Sequence, residues 1–100
     1  MTSMFDLSGK VAVVSGASSG LGADAARAYA ENGADVALLA RRLERLEALG
    51  EEIRAAGRRA LAVRCDVTSE ESCRNAVEKV VEAYGRIDIL LNNAGVAVRG

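Results

Sequence analysis

The chain has 100 residues, 13 of them basic and 14 acidic, for a net charge of −1, which offers no electrostatic footprint for nucleic acid or an anionic membrane. It contains no histidine, so His-based triads, His metal sites and His general bases are excluded within these residues. Half of the chain is apolar, yet only three residues are aromatic, which predicts an aliphatic core of the kind found in parallel sheets covered on both faces by helices.

Val11-Ala12-Val13-Val14, three of them β-branched, reads as a buried first strand. Ser15-Gly16-Ala17-Ser18-Ser19-Gly20-Leu21-Gly22 follows, then an Ala-rich run from Ala23 to Ala30 that reads as a helix. A strand, a glycine turn and a helix present backbone N–H groups to a phosphate. The spacing is G-x-x-x-G-x-G, and no Lys-Ser/Thr follows Gly22, so this is not a Walker A loop. Glu31-Asn32-Gly33 stops the helix.

Val36 to Ala40 reads as a second strand. Arg42 to Ala56 carries Leu43, Leu46, Leu49, Ile53 and Ala56 at steps of three and four, one apolar helical stripe that Gly57 ends. Gly50 inside it costs about 1 kcal/mol relative to Ala. Arg59 to Cys65 reads as the third strand, with Leu61 and Val63 on one face and Ala60 and Ala62 on the other. Thr68-Ser69-Glu70-Glu71 has capping-box spacing, with Thr68 as the cap and Glu71 reaching back. The helix it opens sets Ala76, Val77, Val80, Val81 and Tyr84 on one face and stops at Gly85. Ile87 to Leu91 is a fourth strand, running into Asn92-Asn93-Ala94-Gly95.

Right-handed crossovers turn this β-α-β-α-β-α-β order into a Rossmann-type, doubly wound parallel sheet of α/β class. The predicted strand order is 3-2-1-4, with a crevice between the first and fourth strands at their carboxyl ends. At the end of the second strand a protein that binds NAD wants a carboxylate for the ribose hydroxyls. Here stand Ala40, Arg41 and Arg42. A guanidinium offers a 2′-phosphate paired donors and full charge, which points to NADP(H), with NAD(H) possible; the plain alternative is a solvated helix start. Asp66 is placed to accept from an adenine amino group with Val67 over the ring, or to serve as a turn or helix-dipole partner. Asn92 to Gly95 can cap loose backbone groups, line the crevice, or do both.

The motifs from Ser15 to Gly22, Asp66-Val67, and Asp88 to Gly95 together resemble the short-chain dehydrogenase/reductase family, over essentially the whole of Leu7 to Gly100. Ser15 departs from the family's usual Thr but keeps the hydroxyl. The resemblance implies a nicotinamide-dependent oxidoreductase acting on a ketone or secondary alcohol. It implies that Gly16, Gly20, Leu21 and Gly22, with Ser18 beside them, wrap the pyrophosphate. Arg41 matches the position typical of NADP(H)-preferring members. Asp66 and Val67 would hold adenine, and Asn93, Ala94 and Gly95 would sit beside the adenosine ribose. Many NADP(H) members carry Lys or Arg where this chain has Ser19, whose hydroxyl can still donate to the phosphate; dual cofactor use therefore stays open.

The family's catalytic Tyr-x-x-x-Lys pair is absent: four positions beyond Tyr29 is Gly33, and four beyond Tyr84 is Asp88. The expectation is that residues 1–100 form the N-terminal part of a single dinucleotide-binding domain, cut in the loop after the fourth strand, with the catalytic half elsewhere. The full-length form is expected to take a small carbonyl or alcohol substrate and to form a homo-oligomer. A non-catalytic dinucleotide-binding module and a methyltransferase are the competing readings. Cys65 and Cys73 form no metal-type pattern and read as reduced, buried thiols. Met1 to Lys10 has no secretory pattern, and apolar runs such as Val36–Ala40 are far below the ~20 residues of a membrane span, so a cytoplasmic location is expected.

Overall fold

Strands and helices alternate strictly in the computed structural model, which describes residues 6–18 and 20–92. The elements are β1 (Val11–Ser15), α1 (Gly20–Glu31), β2 (Asp35–Ala40), α2 (Leu43–Ala55), β3 (Ala60–Arg64), α3 (Glu70–Tyr84) and β4 (Ile89–Asn92). All pairings are parallel and the order is β3-β2-β1-β4, the Rossmann-type sheet expected from the alternation. In register, Val13 lies opposite Ala37 on one side and Leu90 on the other.

Strand alternation divides the buried residues between two layers. Ala12, Val14, Val36, Leu38 and Ala40 face α1 and α2, packing with Ala26, Ala30, Leu46, Leu49 and Ile53. Val11, Val13, Ala37, Leu39 and Val63 face α3, packing with Ala76 and Val80. Because β1 and β2 are covered on both faces, they are apolar at successive positions over Val11–Val14 and Val36–Ala40, with polar Ser15 and Asp35 only at strand ends. Ala60 and Ala62 pack with the first layer and Leu61 with the second, as the alternation of β3 predicts.

Several details differ from the sequence expectation, among them the fourth strand, which runs Ile89–Asn92 and not Ile87 to Leu91. The buried stripe of α2 is Leu46, Leu49, Gly50 and Ile53, while Leu43 and Ala56 are exposed at its ends. On α3 only Ala76 and Val80 are fully buried, and Val77 and Val81 remain about two-fifths exposed. Tyr84 is half-buried, its hydroxyl donating to the Val36 carbonyl at 2.9 Å and its ring lying 4.7 Å beneath the Arg59 guanidinium. Finally, the α3 cap is Ser69 rather than Thr68: the Ser69 hydroxyl accepts the Ser72 N–H at 3.1 Å. Thr68 is instead drawn to Asp66, to which both its hydroxyl and its N–H donate.

The start of β4 is pinned to β1 by a reciprocal pair. The Asp88 N–H donates to the Val11 carbonyl at 2.9 Å, and the Asp88 carboxylate accepts the Val11 N–H at 2.9 Å. Two further bonds from Arg86, and then the Val11 bond, hold the Asp88 carboxyl below the usual carboxylate range.

Between β1 and α1 the chain turns with no room to spare. Gly16 takes a left-handed φ of 72°, and α1 begins at Gly20, three residues before the Ala-rich run, so that Gly20 to Gly22 form its first turn. Gly22, Ala26 and Ala30 recur every four residues and are buried, the smallest face with which a helix can meet a sheet. A Cβ at Gly22 would overlap the Gly16 carbonyl oxygen and crowd the Ala17 backbone, whereas a Cβ at Gly20 meets nothing within 4 Å. Gly22→Ala is therefore expected to cost about 1–3 kcal/mol of stability by overpacking. Gly20→Ala should leave stability unchanged or slightly raised, since alanine is the better helix former. Urea unfolding of both variants checks the contrast, and equal midpoints would refute it.

Candidate functional site

In open α/β sheets the crevice lies beyond the carboxyl ends of the strands, where the connections leave the sheet in opposite directions. Here that point lies between β1 and β4: α1 carries the chain from β1 to β2 on one side, and α3 carries it back across the sheet to β4 on the other. The ends of β1 and β4 are tied by the Ser15 hydroxyl, which is buried and donates to Asn92 Oδ1 at 3.0 Å. On the other side the Gly16 and Ala17 N–H groups both donate to the Leu39 carbonyl, at 2.8 and 3.1 Å. Those two amides are thus committed to holding the turn against β2. Any backbone donors for a ligand at this turn must come from the residues after them, where α1 opens with Gly20 and Leu21.

Beside the turn is a cavity of about 230 Å³ lined by Gly16, Ser18, Ala40, Arg41, Arg42, Arg45, Cys65 and Val67. It collects the ends of β1, β2 and β3 in one place. Of the expected site residues, Gly16, Ser18, Arg41, Arg42 and Val67 line it directly, and Asp66 stands between two of the lining residues. Gly20, Leu21 and Gly22 form the first turn of α1, with the Leu21 side chain 77 % exposed. Ser19, Asn93, Ala94 and Gly95 lie outside the described residues.

Three guanidiniums meet at the cavity. Arg41 follows β2, Arg42 is the N-cap of α2, and Arg45 is in its first turn. Arg42 makes no side-chain cap bond, and none of the three is in a salt bridge among the described residues. A cation at a helix start is at the unfavourable end of the helix dipole, so this cluster suits an anion rather than the helix.

Asp66 is held in an Asx turn. Its Oδ1 accepts the Thr68 hydroxyl at 2.7 Å and the Thr68 N–H at 3.0 Å, while its own N–H donates to the Ser72 hydroxyl at 2.9 Å. These Thr68 bonds, then the charges of Arg41 and Arg64, hold its carboxyl below the usual range. It is therefore an ionised, acceptor-only group at neutral pH.

Another depression, of about 290 Å³, lies between α1 and α2 and is lined by Arg27, Ala30, Glu52, Ile53 and Arg58 among others. It sits toward the carboxyl ends of those helices, hence at the opposite end of the sheet from the strand ends, and the Arg27–Glu52 pair at 2.6 Å neutralises its charge. Among the described residues no group of three or more His, Cys, Asp or Glu side chains is arranged to hold a metal ion, and no helix is long and apolar enough to cross a membrane.

Sequence reasoning did not bring out the contacts that five residues make in this neighbourhood. Ser15 and Asn92 are 77 positions apart, and only the strand order brings them together. Arg45 reads as surface until the N-terminal end of α2 is set beside Gly16. Cys65 and Ser72 carried no local signal beyond their neighbour Asp66.

The family model for short chain dehydrogenases matches residues 10–100. The chain belongs to the short chain dehydrogenase family. An uncharacterized oxidoreductase of Mycobacterium tuberculosis is 46 % identical over 92 residues, covering 92 % of this chain and 35 % of the relative. A metagenomic short-chain oxidoreductase solved in complex with NADP is 48 % identical with a TM-score of 0.85, covering 90 % of this chain and 41 % of that one. L-Sorbose reductase from Gluconobacter frateurii, solved with NADPH and L-sorbose, is 39 % identical with a TM-score of 0.88, covering 96 % and 37 %. The chain thus spans between about a third and about two fifths of the length of these proteins.

The Asx turn gives a test by pH. Because the Asp66 pKa is depressed, its bonds stabilise the fold above the unfolded-state pKa and are lost as pH falls through the folded value. Thr68→Ala removes the hydroxyl donor, so the Asp66 carboxyl should titrate nearer the ordinary range, as followed by side-chain carboxyl NMR. The stability gap between wild type and variant should be largest near neutrality and close in acid. A gap that persists in acid would show that Thr68 acts other than through the ionised carboxylate.

Proposed function

We propose that this crevice holds a nicotinamide dinucleotide, NADP(H) in preference to NAD(H), for an oxidoreductase that interconverts a ketone and a secondary alcohol. The observation that carries the reading is the Arg41-Arg42 pair, directly after Ala40, on the wall of the cavity that Gly16 also lines. The donor set fits a phosphorylated ligand: guanidiniums in no salt bridge among the described residues suit a 2′-phosphate, and the glycine turn leads directly into the N-terminus of α1.

In this reading Gly16, Gly20, Leu21 and Gly22 wrap the pyrophosphate, with Ser18 and Ser19 donating from the same turn. Arg41 and Arg42 clamp the 2′-phosphate. Asp66 accepts from the adenine amino group, Val67 covers the ring, and Asn93, Ala94 and Gly95 line the ribose side. When bound, the dinucleotide supplies the hydride chemistry, while these residues bind and orient it. Residues 1–100 are the cofactor-binding part of one dinucleotide-binding domain. The Tyr-Lys pair that would move the substrate's proton lies outside them, since neither Tyr29 nor Tyr84 is followed by a lysine four positions on. A small carbonyl or alcohol substrate, homo-oligomeric assembly and a cytoplasmic location complete the proposal.

The test is a fluorescence titration of the protein with NADPH and NADH. A charge-assisted bond of roughly 1.5–3 kcal/mol corresponds to about a 10- to 100-fold preference for NADPH. Arg41→Asp should abolish or invert that preference by placing a carboxylate against the 2′-phosphate. Equal affinities for the two dinucleotides in the wild type, or an unchanged ratio in the variant, would overturn the assignment of Arg41. Binding of S-adenosylmethionine without NADPH would favour the methyltransferase reading instead.

A further inference from the structure

We propose that Cys65 and Cys73 form a reversible disulfide, a redox modification site on the edge of the crevice. The two sulfurs lie 3.9 Å apart, with the Cys65 thiol directed at Cys73 Sγ. Cys65 ends the third strand's path, is buried, and lines the arginine cavity. Cys73 sits in the first part of α3 and is only partly buried, the more accessible residue of the pair. An S–S bond of about 2.05 Å requires the sulfurs to approach by about 1.9 Å.

The Cys73 thiol has a second set of neighbours that gives the bond a consequence. Its sulfur lies 3.9 Å from the carbonyl oxygens of both Asp66 and Val67, so the thiol tethers α3 to the loop at the cavity's edge. Disulfide formation removes that proton and draws the sulfur toward Cys65, releasing the tether from the two carbonyls.

The oxidant is a peroxide. Cys73, deprotonated, attacks the O–O bond; an S–O bond forms, the O–O bond breaks, and the departing oxygen takes up a proton as water or alcohol. The Cys65 sulfur then gives up its proton and attacks Cys73 Sγ. The S–S bond forms, the S–O bond breaks, and hydroxide leaves as water. Two thiols are oxidised by two electrons and one peroxide is reduced by two. Burial, and next the hydrogen bond to Cys73, push the Cys65 thiol up, which makes Cys65 the resolving partner rather than the first attacker. Two equivalents of an external thiol, or one dithiol, reverse the reaction: the first sulfur forms a mixed disulfide with one cysteine and frees the other, and the second displaces the bound cysteine, leaving both cysteines reduced and the external sulfurs joined as a disulfide.

The sequence supplies a direct readout. Trypsin cuts after Arg64 and Arg74, so both cysteines fall in one peptide, Cys65 to Arg74. After hydrogen peroxide treatment of the protein, that peptide should be lighter by two hydrogens and refuse alkylation, and dithiothreitol should restore it. The oxidised protein should bind NADPH about 2- to 10-fold more weakly than the reduced one, the loss of one or two weak loop ties. Cys73→Ser should show neither effect of peroxide. A peptide that stays reduced, or gains oxygen instead of losing hydrogen, overturns the proposal. A disulfide that forms without changing NADPH affinity overturns its coupling to the crevice. That coupling rests on the dinucleotide reading; if the reduced protein binds no NADPH, that reading fails while the peptide mass still decides the disulfide.

Discussion

Close approach of backbone to backbone at the β1–α1 turn is the constraint on which the rest depends. The Gly16 carbonyl lies where a side chain at Gly22 would be, and the Gly16 and Ala17 amides are drawn onto the Leu39 carbonyl of β2. Both contacts need a missing Cβ or a left-handed φ, and neither survives an ordinary residue unchanged. Together they set α1 onto the sheet at short range, which only the Gly22, Ala26 and Ala30 face permits. That seat fixes where the first amides of α1 open and, through Leu39, how far the Arg41-Arg42 corner stands from them. A proposed phosphate cradle and a proposed phosphate clamp are thus consequences of one packing contact.

The opposite wall is fixed by different forces. Asp88 and Val11 exchange two hydrogen bonds at the start of the β1–β4 pair, and Ser15 bonds Asn92 at its end. Between them four residues on each strand are in register. A strand held at both ends by side-chain bonds needs little from its own exposed face, which is how Leu90 can remain 64 % exposed while β4 keeps its place. Val77 and Val81 on α3 are exposed in the same layer. An apolar residue there contributes little of the burial energy that its type could provide.

Much of this was legible in the chain. The four strands are short aliphatic runs bounded by glycine or polar clusters, and the alternation of elements with right-handed crossovers leaves essentially one strand order. What failed to show was set by contacts rather than by local pattern. Helix α1 starts at Gly20 because packing at Gly22 outweighs the poor helix propensity of glycine. The cap of α3 moved from Thr68 to Ser69 because Asp66 claimed the threonine, a competition between two hydroxyls that spacing cannot rank. Periodicity placed the stripes of α2 and α3 correctly but not their widths, since the covering neighbour decides whether Leu43 or Val77 is wetted. Ser15 with Asn92, and Arg45 with Gly16, meet only once the sheet is assembled.

The two helices that follow β2 and β3 make the last point by contrast. Helix α3 begins as local rules ask: a serine cap whose oxygen accepts an N–H, then Glu70 and Glu71 in the first turn against the positive end of the dipole. Helix α2 begins against them, with Arg42 as an uncapped N-cap and Arg45 in the first turn, offset only by Glu44. A missing cap costs about 0.5–2 kcal/mol, and a misplaced cation adds to it. The same chain therefore applies the rule at one helix start and breaks it at the other, and the break falls on the cavity wall. Local violations of this kind are expected where a ligand, rather than the protein, completes the electrostatics. A dianionic phosphate would supply what the start of α2 lacks, an acceptor for its first amides and a counter-charge for its arginines. This is why the proposed cofactor reading rests on Arg41 and Arg42 more than on the glycine turn, which any phosphate could use.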